Sequence, residues 1–494
     1  MKKVIIIGGG IAGLTAGIYA KQSGFDTTIL EMHSIPGGNC TSWKREGYLF
    51  EGGMHWLTGS GKDLPLCKAW HEVGALNDAT PVYYRDPFTV FDHLGKTVYL
   101  YRDLDKLKAH FLEISPEDKA AIDKLYKDVT AFKKMKMPIM DIKGVKVKYK
   151  SAMNMGEMLG MLPLLPKMGK LSNMMVTEYT ARFTNPALRA VLNHVVGSDS
   201  NSMGLIATLA TLTSGDGGYP KGGSLAMALG MAKRYEALDG KIVYNSRVEK
   251  VIMENGCAKG VIASGEKLSA DAVIVTQDTL AAIDHLFDKP LNEPWMQEMR
   301  KNTRPLLNIF VSLGVEADLS TLPGSMMFSL EKPMTIGGAK VEIIGAYNYA
   351  TYEGYAPKGC TALTSVIMGD SYDFWKKCKE DGSYEKEKKK VGDTIIELIS
   401  EKWPQISGKI AVVDVATPLT YERYCGSYKG SWMSNMRKGQ QMSAYSIANE
   451  NLKNLYFAGQ RMAPPGGLPI AFDTGRKAVQ YLCKDTDTVF QGQA

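Results

Sequence analysis

Short unbroken apolar runs set the rhythm of this chain. Val4-Ile5-Ile6-Ile7, Ala272-Val273-Ile274-Val275 and Leu455-Tyr456-Phe457-Ala458 carry no polar interruption, as strands buried on both faces of a parallel sheet require. Thr27-Thr28-Ile29-Leu30 reads as a further strand. Between the first two strands, Leu14, Ala16, Ile18 and Tyr19 offer an apolar helical face that ends by Gly24. A second helical stripe, Leu225, Ala228, Leu229, Ala232 and Leu238, leads into a strand at Ile242-Val243-Tyr244. Val248 and Val251-Ile252 open another strand, and Gly260-Val261-Ile262 begins its return partner. Of Tyr347, Tyr349, Tyr352 and Tyr355, two are expected to alternate along a strand and two to sit on the loop after it.

This pattern predicts an α/β fold. A Rossmann-like domain of parallel sheet and helices is expected from residues 1–60, 216–290 and 441–494. Residues 61–215 and 291–440 lack those signals and are assigned to an interleaved α+β substrate domain. A chain of 494 residues exceeds one ordinary core, which fits two domains. Its 45% apolar and 22% charged residues are globular values.

The net charge of +7 is mild over this length, and no nucleic-acid motif accompanies it. The seven cysteines are scattered and never form CxxC, which argues against a disulfide framework and against a metal site. The apolar start of MKKVIIIGGG is too short for a signal peptide, and no run reaches the ~18–20 residues of a membrane span. A cytoplasmic protein is expected, with peripheral membrane attachment as a second reading. That reading rests on segment 133–175. Ten of the 27 methionines lie between Met135 and Met175, and residues 133–150 hold seven lysines and one acid. The apolar, proline-broken MLGMLPLLPKMG follows at 158–169. Methionine adapts to irregular apolar shapes, and basic residues beside an apolar wedge suit an anionic membrane surface. The plain alternative is a Met-rich core beside a solvated lysine face.

The chemistry begins where the first strand ends. Gly8-Gly9-Gly10-Ile11-Ala12-Gly13 satisfies G-x-G-x-x-G, and the second strand ends in Glu31, 21 residues beyond Gly10. Gly8 makes the turn, Gly10 lets a pyrophosphate approach the backbone, and Gly13 lets helix and strand pack closely. The helix N-terminus supplies amide donors, and Glu31 is placed to grip a ribose hydroxyl. A carboxylate there disfavours NADP and leaves NAD and FAD open. No second G-x-G-x-x-G follows a strand downstream, so no dedicated nicotinamide site is expected.

Three blocks carry a resemblance. GGGIAGLTAGIYAKQSG, TTILE and then Pro36-Gly37-Gly38 resemble the start of the two-dinucleotide-binding-domain flavoproteins. Residues 217–278, opening GGYPKGGSLAMAL, and the tail AGQRMAPPGGLPIAF resemble the phytoene desaturase family. Its close members are carotene desaturases, carotene cis-trans isomerases and retinol saturases. The resemblance implies FAD, bound by Gly8, Gly10, Ile11, Ala12, Gly13 and Glu31. It adds Gly37, Gly38 and Asn39 near the flavin phosphates, and Val248 at the adenine end. It assigns Gly459, Pro465, Gly466, Gly467 and Leu468 to a tail that closes over the isoalloxazine ring. It implies an apolar polyene, carotenoid, retinoid or lipid substrate. Without a nicotinamide site, three electron routes are expected: oxidation by oxygen or a quinone, reduction by an outside donor, or a redox-neutral isomerisation.

Candidates for proton handling are His55, in EGGMHWLTG, and Glu422 and Arg423, in TPLTYERY. A surface ion pair is the plain reading of the last two. The family commonly has a small glycine-rich stretch where this chain has Ser431-Trp432-Met433-Ser434, which points to an unusual substrate fit. Two other readings stand beside this one: a flavin amine oxidase, and a non-catalytic prenyl-binding escort module of the same fold.

Overall fold

A computed structural model describes residues 1–135, 139–149, 162–440 and 444–492. Its first sheet gathers strands from three distant parts of the chain. Lys3–Ile7 lies between Asp26–Leu30 and Ala272–Val275, all parallel; Lys241–Val243 extends one side and Leu452–Phe457 the other. An antiparallel arm, Val248–Glu254, Cys257–Ala263 and Glu266–Ser269, continues beyond Leu452–Phe457. The apolar runs read from the sequence are the centre of this sheet. Val4, Ile6, Val273 and Ile274 have no exposed surface.

The helix Ile11–Gln22 is buried from Ile11 through Ala20 rather than along one face. The tail helix Leu468–Asp485 and the helix Gly223–Glu236 both pack against it. The tail helix crosses at backbone distance, since a Cβ on Gly475 would stand 2.5 Å from the Ala12 carbonyl oxygen. The second helix departs from the stripe expected for it. Its buried face is Met227, Ala228, Met231, Ala232 and Tyr235, while Leu229 is exposed. Tyr235 turns the helix this way: its ring fills the space over Gly17, and its hydroxyl donates to the Thr27 carbonyl at 2.9 Å.

The second sheet has seven strands. Asn308–Val315 sits between Ile410–Ala416 and Thr361–Met368, followed by Ala339–Asn348, Ser325–Ile336, Thr89–His93 and Lys96–Leu100. The described helices between residues 104 and 213 form a layer with its own core of Phe111, Leu125, Leu188 and Leu209, docked on the Thr89–Leu100 hairpin. Tyr372–Glu380 and Tyr384–Lys402 pack elsewhere on the sheet through Trp375, Ile395 and Ile399. All four tyrosines of the 347–355 cluster are buried; Tyr347 lies in a strand and the others in the loop beyond it. Of the segment 133–175, residues 136–138 and 150–161 lie outside the described residues, so most of its apolar wedge does too.

Candidate functional site

The first glycine turn is built for a close ligand. Gly8 takes φ +100, a conformation side chains resist, and Gly37 takes φ +118 beside the Cys40 carbonyl. Gly37 donates to the Gly9 carbonyl at 2.9 Å, which docks the second glycine pair on the first. A Cβ on Gly10 would meet only the Gly37 carbonyl oxygen, at 3.7 Å, and would otherwise fill the open space of a cavity. Gly13 does not line that cavity. It lets the helix press onto the turn, where any Cβ would overlap the Gly8 carbonyl. Glu31 accepts from the Gly9 amide at 2.6 Å and the His33 amide at 2.7 Å. Burial pushes its carboxyl above the usual carboxylate range, and these amides pull the other way. Ser246 donates to the Glu31 carbonyl and brings Val248 to the same wall.

The tail closes the opposite side. Gly459 follows the last parallel strand and donates to Thr474 at 2.9 Å; Pro465 accepts from the Ser434 amide at 2.9 Å. Arg461, 2% exposed, fixes this corner. Its guanidinium donates to Asp278 at 2.7 Å, to Ser431 and Ser434 at 2.6 Å, and to the Met433 carbonyl at 3.1 Å. Asp278 in turn caps the helix Thr279–His285 through the Leu280 amide. One buried cation thus ties the tail, the 431–434 strap and the first sheet together.

Glycine turn and tail line one cavity of about 2560 Å³, which also reaches the helical layer and the second sheet. Ligand pockets commonly hold ~300–1,000 Å³, so this one has room for a large cofactor and a long substrate together. Asn39 and Ser224 line it, and behind its wall the buried Asn39 Oδ1 and Ser224 Oγ have no partner among the described residues. Unpaired buried polar atoms beside an open glycine turn fit a dinucleotide cofactor.

His55 stands where the two sheets meet. Its ring stacks on Tyr347, with centroids 4.6 Å apart and planes 13° apart, and on Phe310; Trp432 meets it edge-on. Its Nδ1 is buried without a partner among the described residues. Burial, aided by the Arg85 guanidinium, holds the ring's pKa down to about 4, so the imidazole is neutral. Arg85 donates to the His55 carbonyl at 3.0 Å and lies over the Tyr347 ring. The loop that carries His55 hangs from Glu51. This fully buried carboxylate accepts from the amides of Gly53, Met54 and Ser224 and from the Tyr219 hydroxyl.

The cavity therefore brings together Gly8, Gly10, Ile11, Ala12, Glu31, Gly37, Gly38, Asn39 and Val248 with Gly459, Pro465, Gly466, Gly467 and Leu468. His55 and Glu422 line it as well, Glu422 accepting from Tyr372 at 2.9 Å. Arg423 does not: it is exposed, with its guanidinium over Tyr424, and forms no ion pair with Glu422 among the described residues. One residue, about 100° of helix rotation, separates the two fates: Tyr421 is buried, and Arg423 is turned out to solvent. Arg461, Asp278, Glu51 and Arg85 were not singled out from sequence. Each also has a partner far along the chain that no local pattern reveals, 183 residues away between Arg461 and Asp278 and 168 between Glu51 and Tyr219. The one local signal was a charge inside the glycine- and proline-rich tail.

Known proteins resemble the chain along nearly its whole length. The profile of the flavin-containing amine oxidoreductases matches residues 11–483. A prolycopene isomerase of Daucus carota is 25% identical, covering 87% of this chain and 71% of that protein. A 4,4'-diapophytoene desaturase of Methylomonas sp is 24% identical, covering 97% and 95%. Among solved structures, a putrescine oxidase variant superposes with TM-score 0.63 at 15% identity, covering 98% of this chain and 99% of its own, which establishes the fold.

Proposed function

The chain belongs to the flavin-containing amine oxidoreductase family and is an FAD-dependent oxidoreductase; on that premise we propose that it acts on C–C or C=C bonds of a long apolar polyene or isoprenoid lipid. Desaturation, saturation and isomerisation are the reactions in scope. The observation that carries the reading is the single cavity running from the glycine turn to an apolar end lined by Phe88, Leu100, Met135, Leu165, Met168 and Met327.

The first-turn amides at Ile11 and Ala12 would hold the pyrophosphate, Glu31 the ribose, and the Gly466–Leu468 turn the flavin ring. FAD, when bound, supplies the hydride chemistry. His55 lines the cavity with a ring that is neutral at physiological pH, one nitrogen bearing a proton and the other able to accept one, and is the group proposed to exchange a proton there. Phe310, Tyr347 and Trp432 exclude water around it. Glu422, held by Tyr372, is a polar point on the same wall. Arg423 drops out of this scheme. Electrons leave to, or arrive from, an external partner such as a quinone or oxygen unless the reaction is redox-neutral.

The amine oxidase reading is disfavoured by charge. The Arg85 guanidinium does not line the cavity, but its Cζ lies 5.3 Å from the Tyr347 ring centroid, so its positive charge would oppose an ammonium substrate held at the His55–Tyr347 stack. Anaerobic addition of primary amines or polyamines is expected to leave the flavin absorption band unchanged. Bleaching of that band by an amine would overturn the polyene assignment.

A membrane surface is the proposed route of substrate entry. No helix among the described residues is long and apolar enough to cross a membrane. At the helix Leu165–Ser172 and the turn before it, Leu162 and Leu165 are exposed beside Lys167 and Lys170, and Leu165 and Met168 also line the cavity. The double change Leu162→Asp and Leu165→Asp is expected to lower co-sedimentation with anionic vesicles several-fold while flavin content is kept. Unchanged sedimentation would count against this route.

A further inference from the structure

The cavity contains polar groups that a hydrocarbon could not satisfy. His194 ends the helix Pro186–His194 and lines the cavity, and its ring nitrogens have no hydrogen-bond partner among the described residues. Thr208 and Thr211, on the cavity-lining helix Ser202–Thr213, likewise carry hydroxyls that make no hydrogen bond among the described residues. Their neighbours are different: Thr213 on the same helix donates to the Leu209 carbonyl, and Asn193 accepts from Thr180. A purely hydrocarbon chain filling this space would strip water from His194 and return no hydrogen bond, a net loss for a buried polar group.

Resting on the polyene reading above, we infer that the substrate chain carries a neutral oxygen function, a hydroxyl or carbonyl, and that His194 hydrogen-bonds it. The neutrality of the partner follows from the surroundings. Burial alone lowers the His194 pKa, to about 4, and no charged group acts on it, so the ring is an uncharged donor and acceptor. An uncharged imidazole matches a hydroxyl through both roles and a carbonyl through its N–H; it gives a carboxylate no countercharge. His194 is a specificity-determining residue here, separate from the proton chemistry assigned to His55.

The test uses the FAD-loaded protein and a matched pair of polyenes, an alcohol and the hydrocarbon of the same length, with affinity read from the change in flavin absorption or fluorescence. The wild type is expected to bind the alcohol about tenfold more tightly. His194→Phe should bring the ratio close to one, largely by improving the hydrocarbon. His194→Gln, which keeps a donor and an acceptor, should retain most of the preference. Equal binding of the pair by the wild type, or a ratio unmoved by His194→Phe in protein of normal flavin content, overturns the inference and leaves the polyene reading standing. Failure of the wild type to bind either chain overturns both.

Discussion

Replacing Gly13 with alanine will strip the protein of FAD. The new Cβ would overlap the Gly8 carbonyl oxygen and crowd the Thr276 hydroxyl, at 2.9 Å. Neither neighbour can yield cheaply. Gly8 is held by its amide on the Leu30 carbonyl at 2.9 Å, and Thr276 donates to the Ile7 carbonyl at 2.8 Å. The helix must therefore lift off the turn, and the first-turn amides leave the position where a pyrophosphate would lie. Overpacking of this kind costs about 1–3 kcal/mol or more, so flavin affinity should fall at least ten- to hundredfold. Absorbance of the gel-filtered variant, with and without added FAD, checks this. Wild-type flavin content would show that the turn has slack the packing denies.

Arg461→Ala carries the second large effect. Removing one partner of a buried ion pair leaves the other uncompensated, at a cost of about 3–5 kcal/mol. Here Asp278 would be left 5% exposed without its cation, and Ser431, Ser434 and the Met433 carbonyl would lose their donor. A fall of several degrees in melting temperature is expected, together with loosened flavin, because the strap bearing Trp432 would lose its anchor. The double variant Arg461→Ala/Asp278→Ala should be less destabilised than the sum of the two single changes, since the stranded charge is gone. Strict additivity in chemical denaturation would contradict a coupled pair.

Much of this molecule can be read along the chain because the elements of the proposed nucleotide site are local. A buried strand, a glycine turn and a helix N-terminus sit within twenty residues, and their residue types follow from backbone geometry. The tail is legible for the same reason: no ordinary strand–helix connection needs Pro464-Pro465-Gly466-Gly467. What periodicity misjudges is packing set by a distant partner. Leu229 fits the helical stripe, yet Tyr235 rotates the helix so that Met227 and Met231 are buried in its place. Arg423 beside Glu422 reads as one charged pair, but only Glu422 reaches the cavity. Glu51 precedes two glycines without any sign that Tyr219 and the Ser224 amide will meet it. His194 sits at a helix end like many surface histidines, and only the cavity beside it gives it meaning.

The central claim is that a polyene is the substrate of the flavin-loaded protein. The most direct measurement is chromatography, with visible spectra, of a long polyene incubated with FAD-loaded and FAD-free protein, with a quinone, oxygen or a reductant supplied. The expected result is a new polyene species that forms only with FAD bound: a longer chromophore for desaturation, a shorter one for saturation, or the same one in a new geometry for isomerisation. An unaltered polyene under every condition, beside an amine that is oxidised by the same protein, would contradict it.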